Sequence, residues 1–377
     1  MPPSPARRIA KSVARALPGS GAPRGWASAR EAAGAGYRQV RPAVSRERSA
    51  GIGNATWASY CDAAAKVGMS ASARVTDPEV FMSTFERARL VGPRAAVVAA
   101  DGRLVLDLSR EFPLSRPPRA HSALVRARFP RVSELPGRWA TCVSAGTTTY
   151  FHWLLDALPR LGLLADLGCD VDGLVVPAAL EEFHHETLGR LGLERLVQCQ
   201  AGENLNVRVE RLVAPSMPGT PLEPAAWACA WLREIFGAGS PATRRLYVTR
   251  RGAVRRRLLN EEEIVDLLLK EDFEVVDPAA LSVREQAQLF ASAEIVVAPH
   301  GAGLANLVFA PAGATVVELL SPHYVNPCYW ALSAAVGLRY RFVLGTRDVH
   351  DPDLSATEQD VRVDPVDIER CLDDVAG

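Results

Sequence analysis

The 377-residue chain contains no run of 18 or more apolar residues, and no contiguous apolar stretch before a cleavage-like site near its start. Neither a membrane-spanning helix nor a secretory leader is therefore expected. It has no C-x-x-C pair either. The seven cysteines, Cys61, Cys142, Cys169, Cys199, Cys229, Cys328 and Cys371, are scattered and odd in number, which argues against a disulfide framework and for a reduced, cytoplasmic compartment. Lysine occurs only at positions 11, 66 and 270, so arginine supplies nearly all the positive charge. Net charge is absent too, since 43 Lys and Arg balance 43 Asp and Glu. That balance is uneven along the chain: residues 1–50 carry ten basic and two acidic residues, a charge of +8, which leaves −8 for the rest. A body of that sign lacks the basic face that nucleic acid requires, and no nucleic-acid partner is expected. Residues 1–50, rich in Arg, Ala, Pro, Gly and Ser, read as a disordered basic tail. The expected location is cytoplasmic, with a weak contact of this tail with a membrane surface as the alternative.

Two chemical signatures are also missing. No G-x-G-x-x-G stands early in the chain with an acid about twenty residues on, which disfavours a nucleotide oxidoreductase. Asp170-Val-Asp172 precedes its strand and Asp351-Pro-Asp353 lies in a proline-broken segment, so neither has the context of a metal-holding Asp-x-Asp. No metal is expected.

What is present is a long α/β pattern. A hydrophobic content of 48% and this length suffice for two filled cores. Residues 94–108 read as a hairpin turning at Asp101-Gly102. From Trp139 strands and helices alternate: strands near 140–143, 173–176, 195–199 and 209–214, helices over 150–167 and 180–191. Pro215, Pro218, Pro221 and Pro224 then mark an extended connection. A helix over 225–236 leads to strands at 246–249, 274–277 and 295–298. Capping boxes are predicted at Asn260/Glu263 and Ser282/Glu285. Such alternation implies parallel sheets, with ligand loops at the carboxyl ends of the strands.

The most informative stretch runs from Glu294 to Glu318. A buried strand stops at Pro299, a turn follows at His300-Gly-Ala-Gly303, then a short helix and a second apolar strand ending in Glu318. Backbone amides of Gly301, Ala302 and Gly303 together with a positive helix end suit a phosphate or pyrophosphate. Glu318 stands where such folds hold a ribose hydroxyl, or it could merely be a strand-end acid that caps a neighbouring helix. His300 could donate to a diphosphate or merely shape the turn; Gly301 or Gly303 could be required only for positive φ; Asn306 could touch ligand or brace the loop. Arg250 and Arg251 follow a strand directly and are candidate diphosphate ligands, whereas Arg255, Arg256 and Arg257 read as a solvated basic loop. Earlier, His152 and Asp156 lie four apart on one helical face. They can form an acid–base pair or a buried structural contact. His184-His185 reads as surface.

These blocks carry a family resemblance. His300-Gly-Ala-Gly-Leu-Ala-Asn306 with Phe309 and Glu318, preceded by Tyr247-Val-Thr-Arg-Arg251, Asn260-Glu-Glu-Glu263 and Phe151-His-Trp-Leu-Leu-Asp156, stands in the order of glycosyltransferase family 61, which the chain resembles from about Phe112 to Leu344. The resemblance implies an α/β fold of two Rossmann-like domains facing a cleft (GT-B type). Residues 51–224 would be an acceptor domain decorated by the hairpin, and 225–377 a nucleotide-sugar domain. It implies an inverting, metal-independent transferase of the capsular-polysaccharide type, with no cofactor beyond the nucleotide-sugar co-substrate and a glycan or other hydroxyl-bearing acceptor. Asp156 is then the expected base with His152 beside it and His300 as a further catalytic candidate. Arg250, Arg251, the 300–303 turn, Asn306 and Glu318 hold the donor. The rival reading is a non-catalytic glycan- or nucleotide-binding protein that keeps the fold.

Overall fold

A computed structural model describes residues 20–113, 115–237, 241–347 and 349–376. The fold is mixed α/β and divides into two compact units: the chain through Ala43 with Pro78–Pro218, and Val44–Asp77 with the chain from Gly219 on.

The first unit is built on four parallel strands, β1 (Ser133–Thr141), β2 (Gly173–Pro177), β3 (Val197–Ala201) and β4 (Asn206–Pro215), in the order β3-β2-β1-β4. All five residues of β2 are buried, as expected of an interior parallel strand covered on both faces. Antiparallel strands Val80–Glu86 and Arg89–Val91 continue the sheet from β4. The hairpin turning at Asp101-Gly102 is present, with Gly102 at φ 87° and Leu104 opposite Val98. Between β1 and β2 runs α1 (residues 150–166), which is α-helical over Tyr150–His152, π-helical over Trp153–Ala157 and α-helical again over Leu158–Asp166. Helix α2 (Glu182–Arg190) follows β2.

The expected basic tail is ordered from Ser20 on; residues 1–19 lie outside the described residues. Trp26–Ala27 pairs with Leu104–Val105, a helix spans Ala29–Ala33 under a Ser28/Glu31 capping box, and Tyr37–Arg41 runs antiparallel to Val80–Glu86. Composition misleads here because a few anchors suffice. The Tyr37 ring packs, tilted, at 4.8 Å from that of Phe81, and the fully buried Ala29 donates its backbone N–H to Asp107 at 2.7 Å.

Residues 44–77, divided in the sequence reading between the tail and the first domain, group instead with the second unit. Val44–Glu47 pairs with Arg74–Asp77, and Ile52–Gly53 adds an edge strand to that unit's sheet. On the helix Trp57–Lys66, Trp57 packs at 5.0 Å from Trp330 and Tyr60 at 4.8 Å from Phe342.

The second unit has an all-parallel sheet of β5 (Arg244–Val248), β6 (Phe273–Val276), β7 (Ala293–Pro299), β8 (Thr315–Leu320), β9 (Arg339–Leu344) and Ile52–Gly53, in the order β6-β5-β7-β8-β9 and then the edge strand. Its helices are α3 (Ala226–Phe236), α4 (Glu261–Lys270), α5 (Val283–Ala291), α6 (Cys328–Val336) and α7 (Pro365–Ala376). The Ser282/Glu285 capping box forms. Asn260 does not cap α4: its amide bonds Glu263 at 2.9 Å and the carbonyl of Val363 at 2.8 Å, and its oxygen accepts from Val363 N. Among the described residues no helix is long and apolar enough to cross a membrane.

Candidate functional site

Two loops at the carboxyl ends of β5 and β7 meet in the second unit. The first is pinned by Glu261, the opening residue of α4 and only 8% exposed. One carboxylate oxygen accepts from Tyr247 OH at 2.9 Å, Thr249 Oγ1 at 2.6 Å and Arg250 N at 3.1 Å. The β5 strand end, the loop and the helix start are thereby held as one piece. The second loop begins at His300, whose backbone N–H bonds the carbonyl of Leu319 at 3.0 Å. Between them lies a cavity of ≈ 250 Å³ lined by Thr249, Arg250, Gly252, Asp277, Gly301 and Gly303 among others.

Arg250 lines this cavity beside Gly301. A Cβ on Gly301 would fall 1.8 Å from Arg250 Nη1, so glycine is required there by close approach. Positive φ is not the reason. Gly301 is extended at φ −179°, and neither it nor Gly303 lies in the left-handed region. Arg250 Nη2 bonds the carbonyl of Arg255 at 3.2 Å, but its Nε is buried with no partner. Burial lowers the guanidinium's pKa, and the neighbouring cation of Arg256 lowers it further. Arg256 is itself half-buried, at φ 53°, with its guanidinium 5.7 Å from the ring centre of Tyr324 and its Nε unpartnered. Its Nη1 donates to the carbonyl of Thr357 at 2.7 Å. Of the two, Arg250 lines the cavity, and a guanidinium there is the kind of group an oxyanion can pair with. Arg256 thus departs from the solvated-loop reading, while Arg257 pairs with Asp360 at 2.6 Å. Arg251 is exposed.

His300, 9% exposed, shares a hydrogen bond of 2.5 Å between Nδ1 and Glu318 Oε1. The other oxygen of Glu318 accepts from Tyr340 OH at 2.6 Å, and Tyr340 OH lies 3.3 Å from Tyr60 OH. Glu318 has zero exposure, so in this structure it orients His300 and does not offer itself to a ribose. Asn306, also at zero exposure, donates to Gln286 at 2.6 Å and to the carbonyl of Gly303 at 3.0 Å. It braces the turn from beneath. Ala302 and Gly303 are half-buried, and Gly303 lines the cavity.

In the first unit, His152 Nδ1 and Asp156 Oδ2 are 2.6 Å apart, and Asp156 is 5% exposed. The pair spans the π-helical turn of α1, a departure from regular helix that is frequent at functional sites. Gly146, at φ 89°, lies against the imidazole, where a Cβ would come within 2.3 Å of the ring carbon Cδ2. Arg110, whose pKa burial depresses, feels the charges of Asp107 and Asp156. Arg160 does not join the pair at its face. It is 1% exposed and spends its donors on the carbonyls of Cys142 and Pro215.

His184, expected at the surface, is fully buried. Nδ1 accepts from Glu181 N at 2.8 Å, and Nε2 meets the carbonyl of Thr147 at 3.1 Å. Burial lowers its pKa. Asp172 accepts from Arg138 N at 2.7 Å and is occupied as a backbone brace.

Glu261, Tyr340 and Arg110 were not singled out by sequence reasoning. For Glu261 a signal existed, an acid at the first turn of a helix one loop after a candidate ligand. For the others none did.

A loop pocket at the carboxyl rim of a parallel sheet, with a guanidinium and a glycine-backed turn in its lining, is chemically suited to an anionic group. Comparison with known proteins narrows this. Residues 150–317 match the family model Glycosyltransferase 61. Similar proteins include a Beta-1,2-xylosyltransferase of Arabidopsis thaliana, 29% identical over 102 residues, 24% of this chain and 19% of that protein. The Protein O-linked-mannose beta-1,4-N-acetylglucosaminyltransferase 2 of Canis lupus familiaris is 35% identical over 101 residues, 26% of this chain and 17% of that protein. A Beta-1,2-xylosyltransferase, XAX1, of Oryza sativa subsp. japonica is 41% identical over 78 residues, 20% of this chain and 13% of that protein. The matched segments thus span less than a fifth of these relatives.

Proposed function

We propose that the protein transfers a sugar from a nucleotide-sugar donor to a hydroxyl of a glycan or related acceptor, with inversion at the anomeric carbon and without a metal. The carrying observation is the pocket at Arg250, where Gly301 leaves room for the guanidinium and the 301–303 turn shares the lining. In this reading the two units are the Rossmann-like halves of a GT-B-type transferase, the second holding the donor and the first activating the acceptor. The product is a cell-surface polysaccharide or similar glycan.

The chemistry follows from the charges that form. The acceptor hydroxyl gives its proton to His152 Nε2, while Asp156 holds Nδ1 and stabilises the imidazolium. This moves the base from Asp156 to its partner, because one carboxylate oxygen of Asp156 is committed to the ring. The acceptor oxygen bonds the anomeric carbon as the bond to the diphosphate breaks, and that electron pair leaves with the diphosphate. Arg250 and Arg256 offset the growing negative charge, with amides of the 301–303 turn and His300 as further donors.

A thermal-shift panel of UDP-, GDP-, TDP- and CMP-sugars tests the reading. A true donor at ~100 times its dissociation constant stabilises by roughly 2.7 kcal/mol, a shift on the order of a few degrees for a chain of this length. Transfer assayed with that donor should persist in EDTA. No shift with any donor would leave the glycan-binding reading in its place, and activity lost in chelator and restored by Mn²⁺ would overturn the metal-free step.

A further inference from the structure

Glu318, the acid that the sequence offers for a ribose, is spent inside the second unit on His300 and Tyr340. A nucleoside bound beside Arg250 therefore needs another acceptor for its hydroxyls. The fold supplies one. Strand β5, the Arg250 loop, α4 and β6 form a single βαβ unit, with β6 paired parallel to β5 and Thr249 N bonded to the carbonyl of Val276 at 2.9 Å. The first residue past β6 is Asp277. An acid at the carboxyl end of the second strand of such a unit stands where dinucleotide-binding folds hold a ribose hydroxyl, one loop across from the phosphates.

Local geometry fixes the carboxylate. Oδ1 accepts from Ala279 N at 3.0 Å, at the start of the short turn Pro278–Ala280. Among the described residues no hydrogen bond or ion pair takes up its other oxygen. Asp277, Pro278 and Ala279 all line the ≈ 250 Å³ cavity together with Arg250 and Gly301, and Asp277 is the one acid among the described lining residues. One cation and one anion thus share a lining without pairing with each other, and apolar Val248, Pro278, Pro299 and Leu304 complete it. That suits a ligand with an anionic end and a hydroxyl-bearing end. The volume falls below the range of about 300–1,000 Å³ that encloses a drug-sized ligand whole, so the cavity takes one part of a donor and leaves the rest outside.

We propose, on the reading of the Arg250 pocket as the donor site, that Asp277 accepts from the ribose hydroxyls of the donor nucleotide while Arg250 meets its phosphates. Asp277 thereby selects ribonucleotide over deoxyribonucleotide donors. Calorimetry on the full chain tests this with UDP, GDP, CMP and the deoxyribonucleotide TDP, followed by the 2′-deoxy and 3′-deoxy forms of the tightest ribonucleotide. Each is titrated into the parent and into Asp277→Asn, which keeps the acceptor for Ala279 N and removes the charge. In the parent, loss of at least one hydroxyl should weaken binding about tenfold or more, the scale of one charge-assisted hydrogen bond. In Asp277→Asn the ribonucleotide itself should bind about tenfold more weakly, and the difference between ribo and deoxy forms should shrink towards none. A merely structural role for Asp277 would not produce that coupling between side chain and hydroxyl. Parent binding that is indifferent to both deoxy forms or prefers TDP, or a ribo-to-deoxy difference undiminished in Asp277→Asn, overturns the assignment and leaves the donor site standing. A parent that binds none of the four nucleotides removes the donor site, and the role of Asp277 with it. Should Asp277→Asn fail to fold, Asp277→Ser, which also keeps a capping oxygen, takes its place.

Discussion

At the scale of single residues, two side-chain pairs carry the proposed chemistry and each can be taken apart. His152 and Asp156 act in this reading as one unit, since Nδ1 and Oδ2 are held at 2.6 Å. Asp156→Asn and His152→Gln should each lower turnover by ~100-fold or more, the usual scale of lost general-base catalysis, while leaving donor affinity unchanged. The double variant should be hardly worse than either single, because groups that act together lose their effect together. Turnover near the parent rate in either folded single variant would return the pair to a packing role. Arg250 and Gly301 form the second pair. Arg250→Ala should weaken nucleotide binding and turnover together, since the guanidinium meets the diphosphate before and during bond breaking. Gly301→Ala keeps every charge, yet its new methyl must displace the Arg250 side chain from a position 1.8 Å away. It should therefore reproduce most of the Arg250→Ala loss. Full nucleotide affinity in Gly301→Ala, measured by calorimetry, would show that Arg250 is not the ligand.

Secondary-structure elements were legible to different depths. The strand–turn–strand from Ala293 to Leu320 could be read directly, because buried apolar runs broken by Pro299 and a glycine turn permit few other folds. The site's inner bracing could not. That Glu318 would serve His300 and Tyr340 depends on β9 lying beside β8 with Tyr340 opposite Val316, a register no local pattern encodes. Arg256 looked like one more arginine in a basic loop; only its φ of 53° and the approach of Tyr324 turn it inward. Helix α2 gave the plainest misreading, since His184-His185 among polar neighbours hides one buried ring. A pH dependence follows. Burial holds the folded-state pKa of His184 below its ordinary 6.5, and likewise that of His121. The unfolded chain therefore binds more protons as pH falls through about 6.5, so stability drops in the window between that value and the lowered folded ones. Thermal unfolding should show melting temperature falling from about pH 7.5 to about pH 5.5. In His184→Gln, which can keep one donor and one acceptor, the fall should be shallower. An identical slope in parent and variant would assign the effect to other groups.

Across the whole molecule, the N-terminal part of the chain has a structural role that its composition conceals. The arginine-rich stretch that reads as a tail contributes from Ser20 to Ala43 to the first unit and from Val44 to Ala50 to the second. Removing residues 1–50 would strip from the first unit the strand Tyr37–Arg41 and the capped helix Ala29–Ala33. The edge of Val80–Glu86 would lose its partner and Phe81 the ring of Tyr37 packed against it. From the second unit the deletion takes Arg48, leaving Glu223 without its ion-pair partner, and Ser49, whose carbonyl accepts from Trp330 Nε1 at 2.8 Å. Loss of a strand pairing and of one half of a buried ion pair each falls among the larger destabilising changes. The truncated protein should therefore melt several degrees lower or fail to accumulate in soluble form. Deletion that left the melting temperature unchanged would mean that neither unit needs these segments, and that the first 50 residues are a tail after all.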